Sequence, residues 1–137
     1  MNRSDFQQLA DVRIDEAVVL LGQGKWDGAY YLAGYAVECA LKACIAKLTR
    51  EFDFPDKQRA ANAYTHALDA LLKQAELETQ LKTDWAVNAP LEANWLTVKD
   101  WTEASRYLRN AQSSAEQFCN AVKSSPDGVL PWIKRYW

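Results

Sequence analysis

The sequence predicts an all-α domain, an up-and-down four-helix bundle with an additional short C-terminal helix. Three observations predict it. Apolar residues recur at three- and four-residue spacings over long stretches, as in Phe6, Leu9, Ala10, Ala17 and Leu20. Strand signals are confined to the short Val18–Leu21 run, which sits inside a helical pattern. The 137 residues are 49% apolar and 25% charged, the balance of a folded chain with one core, so a single domain over 1–137 is expected.

The first helix is expected from about Arg3 to Leu21, with Gly22 and Gly24 ending it. A second follows from about Asp27, read as its N-cap, to Leu48. Apolar side chains cover most of its circumference, so it should be the central helix, and Gly28, Ala33, Gly34, Ala36 and Ala40 keep it narrow enough for close neighbours. A long connection then runs to about Ala63, where Pro55 restricts Phe54 and stops helical continuation. A third helix should start near Thr65, capped by its hydroxyl, and reach about Leu81 with a break. Thr83 to Lys99 reads as a connection with a short helical turn, pinned by its tryptophans. The fourth long helix is expected from Asp100 to about Ser124, opened by a capping box of Asp100 with Glu103. A turn at Pro126–Gly128 precedes a terminal helix over Pro131–Trp137.

Sixteen basic residues against eighteen acidic ones give a formal charge of −2, which excludes a broad basic surface for counterion-driven nucleic-acid binding and leaves room for a local cleft. Cys39, Cys44 and Cys119 are odd in number and lie on apolar helical stretches, as buried thiols in a reducing compartment would. With no Cys-x-x-Cys pair and His66 the only histidine, no metal site is expected. The first residues carry acids and no apolar run, so neither a signal peptide nor a membrane span is expected and the cytoplasm is the expected location. No Walker loop, dinucleotide fingerprint, nucleophile elbow or HExxH motif occurs, so no cofactor is expected.

The segments GKWDGAYYLAGYAVECALKA, YTHALDALL and NWLTVKDWTEASRY resemble the HEPN domain family over roughly residues 3–123. The resemblance implies a four- or five-helix bundle that usually dimerises. It also implies a role in toxin–antitoxin or defence modules, many members being toxins or RNases, often paired with a nucleotidyltransferase-like protein. The family's ribonucleases carry an arginine followed after four to six residues by histidine on the last long helix, at the dimer cleft. Arg106 is the residue here that matches the arginine, but LRNAQSSAEQ after Tyr107 supplies no histidine, and neither Asn110 nor Gln112 exchanges protons as imidazole does. Arg59 and His66 match the spacing by count, yet they straddle the end of the connection and the start of the third helix.

Candidate site residues follow from these patterns. Arg106, Tyr107 and Lys42 are candidates for RNA or nucleotide contact, because a guanidinium fork matches phosphate oxygens. His66 and Arg106 are the catalytic candidates, His66 being the one residue suited to proton transfer and equally suited to a structural hydrogen bond. Glu38 stands four residues before Lys42 in an apolar run, and a carboxylate buried there needs a partner, with Arg13 or Arg106 the expected one. Asp69, in the first turn of the third helix beside His66, belongs to the same polar network.

Three functions compete. The first is an RNA- or nucleotide-binding component of a toxin–antitoxin or defence module, with nuclease activity in doubt because of the missing histidine. The second is a noncatalytic homodimeric interaction module that pairs with a nucleotidyltransferase-like partner. The third is a small-ligand pocket beside Glu38. Dimer contact is expected on the fourth helix and the terminal helix, where surplus apolar surface would pair two copies.

Overall fold

The computed structural model describes residues 1–49 and 57–137. Helix α1 (Arg3–Gly22) begins with a complete capping box: Asp5 N donates to Asn2 Oδ1 and Asn2 N donates to Asp5 Oδ2, both at 2.9 Å. Gly24, at φ +73°, turns the chain into α2 (Trp26–Leu48). The cap position of α2 is Lys25, which makes no side-chain hydrogen bond. Asp27 does not cap the helix as expected, and instead accepts the distant backbone N–H of Asn110.

The central place of α2 follows from its small and apolar residues. Ala29, Ala33, Ala36, Val37, Ala40, Leu41 and Ala43 are fully buried, and α1, α4, α7 and α8 all pack on this helix. Cys39, Cys44 and Cys119 are buried free thiols. Burial pushes Cys39 up to about 12 and Cys44 and Cys119 up to about 11, so all three stay protonated and unreactive near neutrality.

After α2 the described chain resumes with α3 (Lys57–Asn62), then α4 (Leu68–Gln74), α5 (Glu78–Trp85) and α6 (Ala89–Val98). A 3-10 turn (Glu103–Tyr107), α7 (Gln112–Lys123) and α8 (Val129–Lys134) complete it. The expected break at Pro55 and Phe54, and the side chain of Arg59, lie outside the described residues.

The all-α class holds, but the four-helix bundle with a short fifth helix does not: the described residues form eight α-helices and a 3-10 turn. One added element, α3, lies inside the expected connection to Ala63, and three local causes account for the rest of the difference. The expected third helix is cut because Glu76 takes φ +60°, a left-handed residue that ends α4 before α5 starts. The expected connection over 83–99 contains a full helix, since Asn88 Oδ1 caps Leu91 N at 3.2 Å and Pro90 falls in the first turn, where a missing N–H costs nothing. The expected fourth helix is split, because Leu108 and Ala111 are extended and Asp27 draws the Asn110 N–H away from any helical partner. The Asp100–Glu103 capping box does not form. Thr102 holds the cap position, and Asp100 pairs instead with Lys99 at 2.9 Å.

Two side-chain anchors hold these short pieces. Trp101, 2% exposed, lies flat on α2 where Gly34 has no side chain: a Cβ there would come 2.2 Å from the indole. The second anchor is Asp84, whose Oδ2 accepts Trp132 Nε1 and Tyr136 Oη, each at 2.8 Å, while Oδ1 accepts Gln80 Nε2 at 2.8 Å. The Trp132 N–H, ahead of the Tyr136 and Gln80 donors, holds the Asp84 carboxyl below the usual carboxylate range. A depressed folded-state pKa stabilises the fold above the unfolded value near 4 and loses that contribution as pH falls through the folded value. Asp84→Asn is therefore expected to cost about 1 kcal/mol near neutral pH, the half-exposed site being screened by solvent. The difference from wild type should shrink in urea titrations carried below about pH 4, and a gap that stays constant into acid would contradict the assignment.

The terminal helix α8 is consumed by this packing. Val129, Leu130, Trp132 and Ile133 are all buried, as is the apolar stripe Ala115, Phe118, Cys119 and Val122 of α7. The surfaces expected to pair two copies thus serve the chain's own core. No helix among the described residues is long and apolar enough to cross a membrane.

Candidate functional site

Trp101 on Gly34 fixes the start of the 3-10 turn against the middle of α2, one helical turn before Glu38. Glu38 is 2% exposed, so its carboxylate needs partners within the protein. Its Oε1 accepts Lys42 Nζ at 3.0 Å, from the next turn of α2, and lies 2.7 Å from His66 Nδ1. The other ring nitrogen of His66, Nε2, lies 3.0 Å from Glu103 Oε2 on the 3-10 turn. One imidazole thus bridges the core carboxylate and the turn.

Thr65 prepares that placement: its Oγ1 accepts Ala67 N at 3.2 Å, which orients the chain just ahead of α4. Each nitrogen of His66 faces a carboxylate oxygen, so neither is open to take a proton from a bound substrate in this arrangement. The carboxylates of Glu38 and Glu103 sit on opposite edges of the ring and do not converge. Among the described residues no group of three His, Cys, Asp or Glu side chains is placed to hold a metal ion.

Arg106 lies three residues after Glu103, and in a 3-10 turn such residues stand on one side, about 6 Å apart along the axis. Its guanidinium carbon sits 4.9 Å from the centroid of the Tyr107 ring. The phenols of Tyr107 and, to a smaller extent, Tyr31 hold the guanidinium above its ordinary pKa. No carboxylate among the described residues pairs with Arg106. Below it runs an aromatic ladder: Tyr31 stacks on Trp101 at 5.9 Å and on Tyr35 at 6.1 Å.

The structure therefore brings Glu38, Lys42 and His66 together directly, and joins Arg106 and Tyr107 to them through Glu103. Arg13 and Asp69 stand apart from Glu38. Arg13 pairs with Glu16 at 2.5 Å, its charge reaching Tyr35 and Cys39. Asp69 acts electrostatically on Lys99. The expected partnership of Glu38 with Arg13 or Arg106 is replaced by Lys42, one turn on along α2, and by His66, which reaches the carboxylate from the chain just ahead of α4. Lys42 is committed to Glu38, and its side chain is only 16% exposed. Open grooves lie between α6 and α7, around Asn94 and Gln117, and on the outer face of α1, and neither of these two is lined by Glu38.

Sequence reasoning missed Glu103 and Tyr31 as parts of this site. The acid matched a capping motif, and the tyrosine sits in the apolar run of the central helix. Only the fold, which carries residue 103 back to residue 66, gives either another role.

The helical fold and the polar cluster on its central helix describe one class of small all-α domain. The HEPN domain family model matches residues 5–124, and the chain belongs to that family. No curated protein and no solved structure was found to match the chain.

Proposed function

We propose that this chain is an RNA- or nucleotide-binding member of its family, acting within a toxin–antitoxin or defence module. Arg106 contacts phosphate and Tyr107 offers its ring to a base. The observation that carries this reading is the exposed guanidinium of Arg106, resting on the Tyr107 ring with no carboxylate among the described residues to neutralise it. A cation so placed keeps its charge for an anionic ligand, and the ring beside it is 77% exposed and suited to stacking. His66 serves as a positioning residue that holds Glu103, and hence the turn, against Glu38. Cleavage is not part of the proposal, since both ring nitrogens of His66 are engaged by carboxylates.

Equilibrium binding of a mixed single-stranded oligoribonucleotide pool, read by fluorescence anisotropy, tests it. Arg106→Ala should weaken binding about tenfold and reduce the salt dependence by about one phosphate contact, with the fold retained. Tyr107→Ala should weaken it by a similar factor, stacking being worth about 1–3 kcal/mol per base. Affinity unchanged in both variants would overturn the assignment. Metal-free cleavage of the same pool that disappears in His66→Ala would restore a catalytic role to that residue.

A further inference from the structure

The fold asks one imidazole to serve two carboxylates. His66 Nδ1 lies 2.7 Å from Glu38 Oε1, and Nε2 lies 3.0 Å from Glu103 Oε2. A carboxylate oxygen only accepts, so both contacts are hydrogen bonds when both ring nitrogens carry hydrogen, which is the imidazolium. A neutral ring has one N–H, and its other nitrogen turns a lone pair toward an oxygen.

The two carboxylates are not equally free to leave. Glu38 is 2% exposed and its Oε2 is buried without a hydrogen-bond partner among the described residues, so without His66 the charge would be left to Lys42 alone. The Glu103 side chain is 47% exposed and reaches water by rotating away. When the ring, itself 41% exposed, gives a proton to solvent, the remaining N–H therefore stays on Nδ1 with Glu38, and the contact of Nε2 with Glu103 breaks. The freed carboxylate has a cation in reach. Arg106 stands on the same side of the same 3-10 turn, three residues on, and is exposed with no carboxylate paired to it among the described residues.

The other groups around this cluster do not take over the role. On α2, Lys42 is committed to Glu38. The Tyr35 phenol and the Cys39 thiol are pushed up, mainly by burial with the Glu38 charge adding to it, the thiol to about 12, so both stay neutral near pH 7. On α4, Asp69 acts on Lys99.

We propose that the proton on His66 decides the partner of Glu103: held by the imidazolium, Glu103 leaves the Arg106 guanidinium free, and released by the neutral ring it pairs with Arg106. Acid thus frees the guanidinium and alkali covers it. The exchange is a property of the free chain, and only its effect on a ligand rests on the reading of Arg106 as a phosphate contact.

Nuclear magnetic resonance of the isotope-labelled full chain without nucleic acid, followed from about pH 5 to about pH 9, tests the exchange. His66 is the only histidine, so its ring nitrogens are read directly. The Arg106 Nε–H and the Glu103 carboxylate resonances should move with the same midpoint as the ring. In Glu103→Gln, a change at a half-exposed position, the ring should still titrate while the Arg106 resonance stays in place, because the amide brings no charge to the guanidinium. His66→Gln should also leave Arg106 insensitive to pH, with the helical circular dichroism spectrum retained. An Arg106 resonance that ignores the His66 titration in the wild type overturns the proposal, and so does one that follows it equally in Glu103→Gln. The Kd of the wild type for the oligoribonucleotide pool should rise about twofold over the same range, the worth of one exposed i, i+3 pair. If the resonances exchange as stated while Arg106→Ala leaves that Kd unchanged, the phosphate reading fails and the exchange stands.

Discussion

Gly34→Ala is expected to lower the unfolding free energy by about 2 kcal/mol or more, although alanine is the better helix former by about 1 kcal/mol. The sign is decided by Trp101. A new Cβ would lie 2.2 Å from the indole, far inside van der Waals contact, and at 2% exposure the ring has nowhere to swing. Relief requires the chain around Trp101 to move away from α2, carrying with it the turn that bears Glu103 and Arg106. The variant should therefore lose both stability, read by urea denaturation, and oligoribonucleotide affinity. Gly28→Ala is the contrast: its Cβ would meet only the tip of Leu20 at 3.1 Å, which can give way, so its change should be small or favourable by a few tenths of a kcal/mol. Equal costs at the two glycines would contradict this packing.

The second large effect is an asymmetry within the buried pair. Lys42→Met removes the ammonium but leaves the Glu38 carboxylate in a site that is 2% exposed, with the half-exposed His66 as its remaining partner. Stranding a buried charge in this way costs about 3 kcal/mol. Glu38→Met removes the buried charge itself, and Lys42 can extend its stem along the apolar surface and carry its ammonium to water. That variant should cost about 1 kcal/mol, and the double variant should be more stable than Lys42→Met alone. Chemical denaturation of the three proteins checks the order. If Glu38→Met were the most damaging, the carboxylate would be contributing more attraction than it loses in desolvation.

Much of the fold is visible in the sequence because helical periodicity is a local signal. The boundaries of α1 and α2 and the central position of α2 follow from residues such as Ala33, Val37 and Leu41, whose spacing alone directs them inward. What the sequence concealed was decided by single long-range contacts. Asp100 and Glu103 look like a capping box, yet Glu103 is claimed by His66, and Asp27 reaches across to Asn110. Pro90 looks like a breaker but starts a helix, because Asn88 supplies the cap just before it. Glu76 takes a left-handed conformation usually left to glycine or asparagine, so no local rule would have placed the break there.

The candidate site was legible in part. Glu38 with Lys42 could be seen as a polar pair in an apolar helix, and His66 stood out as the only imidazole. That the two would share a hydrogen bond could not be seen, since α2 and α4 are separated by the long connection. Arg106 was singled out as an arginine of interest but placed on the wrong element: it projects from a 3-10 turn, not from a long helix.

The most direct measurement of the central proposal is a titration of isotope-labelled protein with a short single-stranded oligoribonucleotide, followed by amide and arginine side-chain resonances. The proposal predicts saturable shifts concentrated on Tyr31, Glu103, Arg106 and Tyr107, with the Arg106 guanidinium among the most perturbed, and their loss in Arg106→Ala. Shifts confined to other surfaces, or a spectrum unchanged at saturating oligonucleotide, would contradict it.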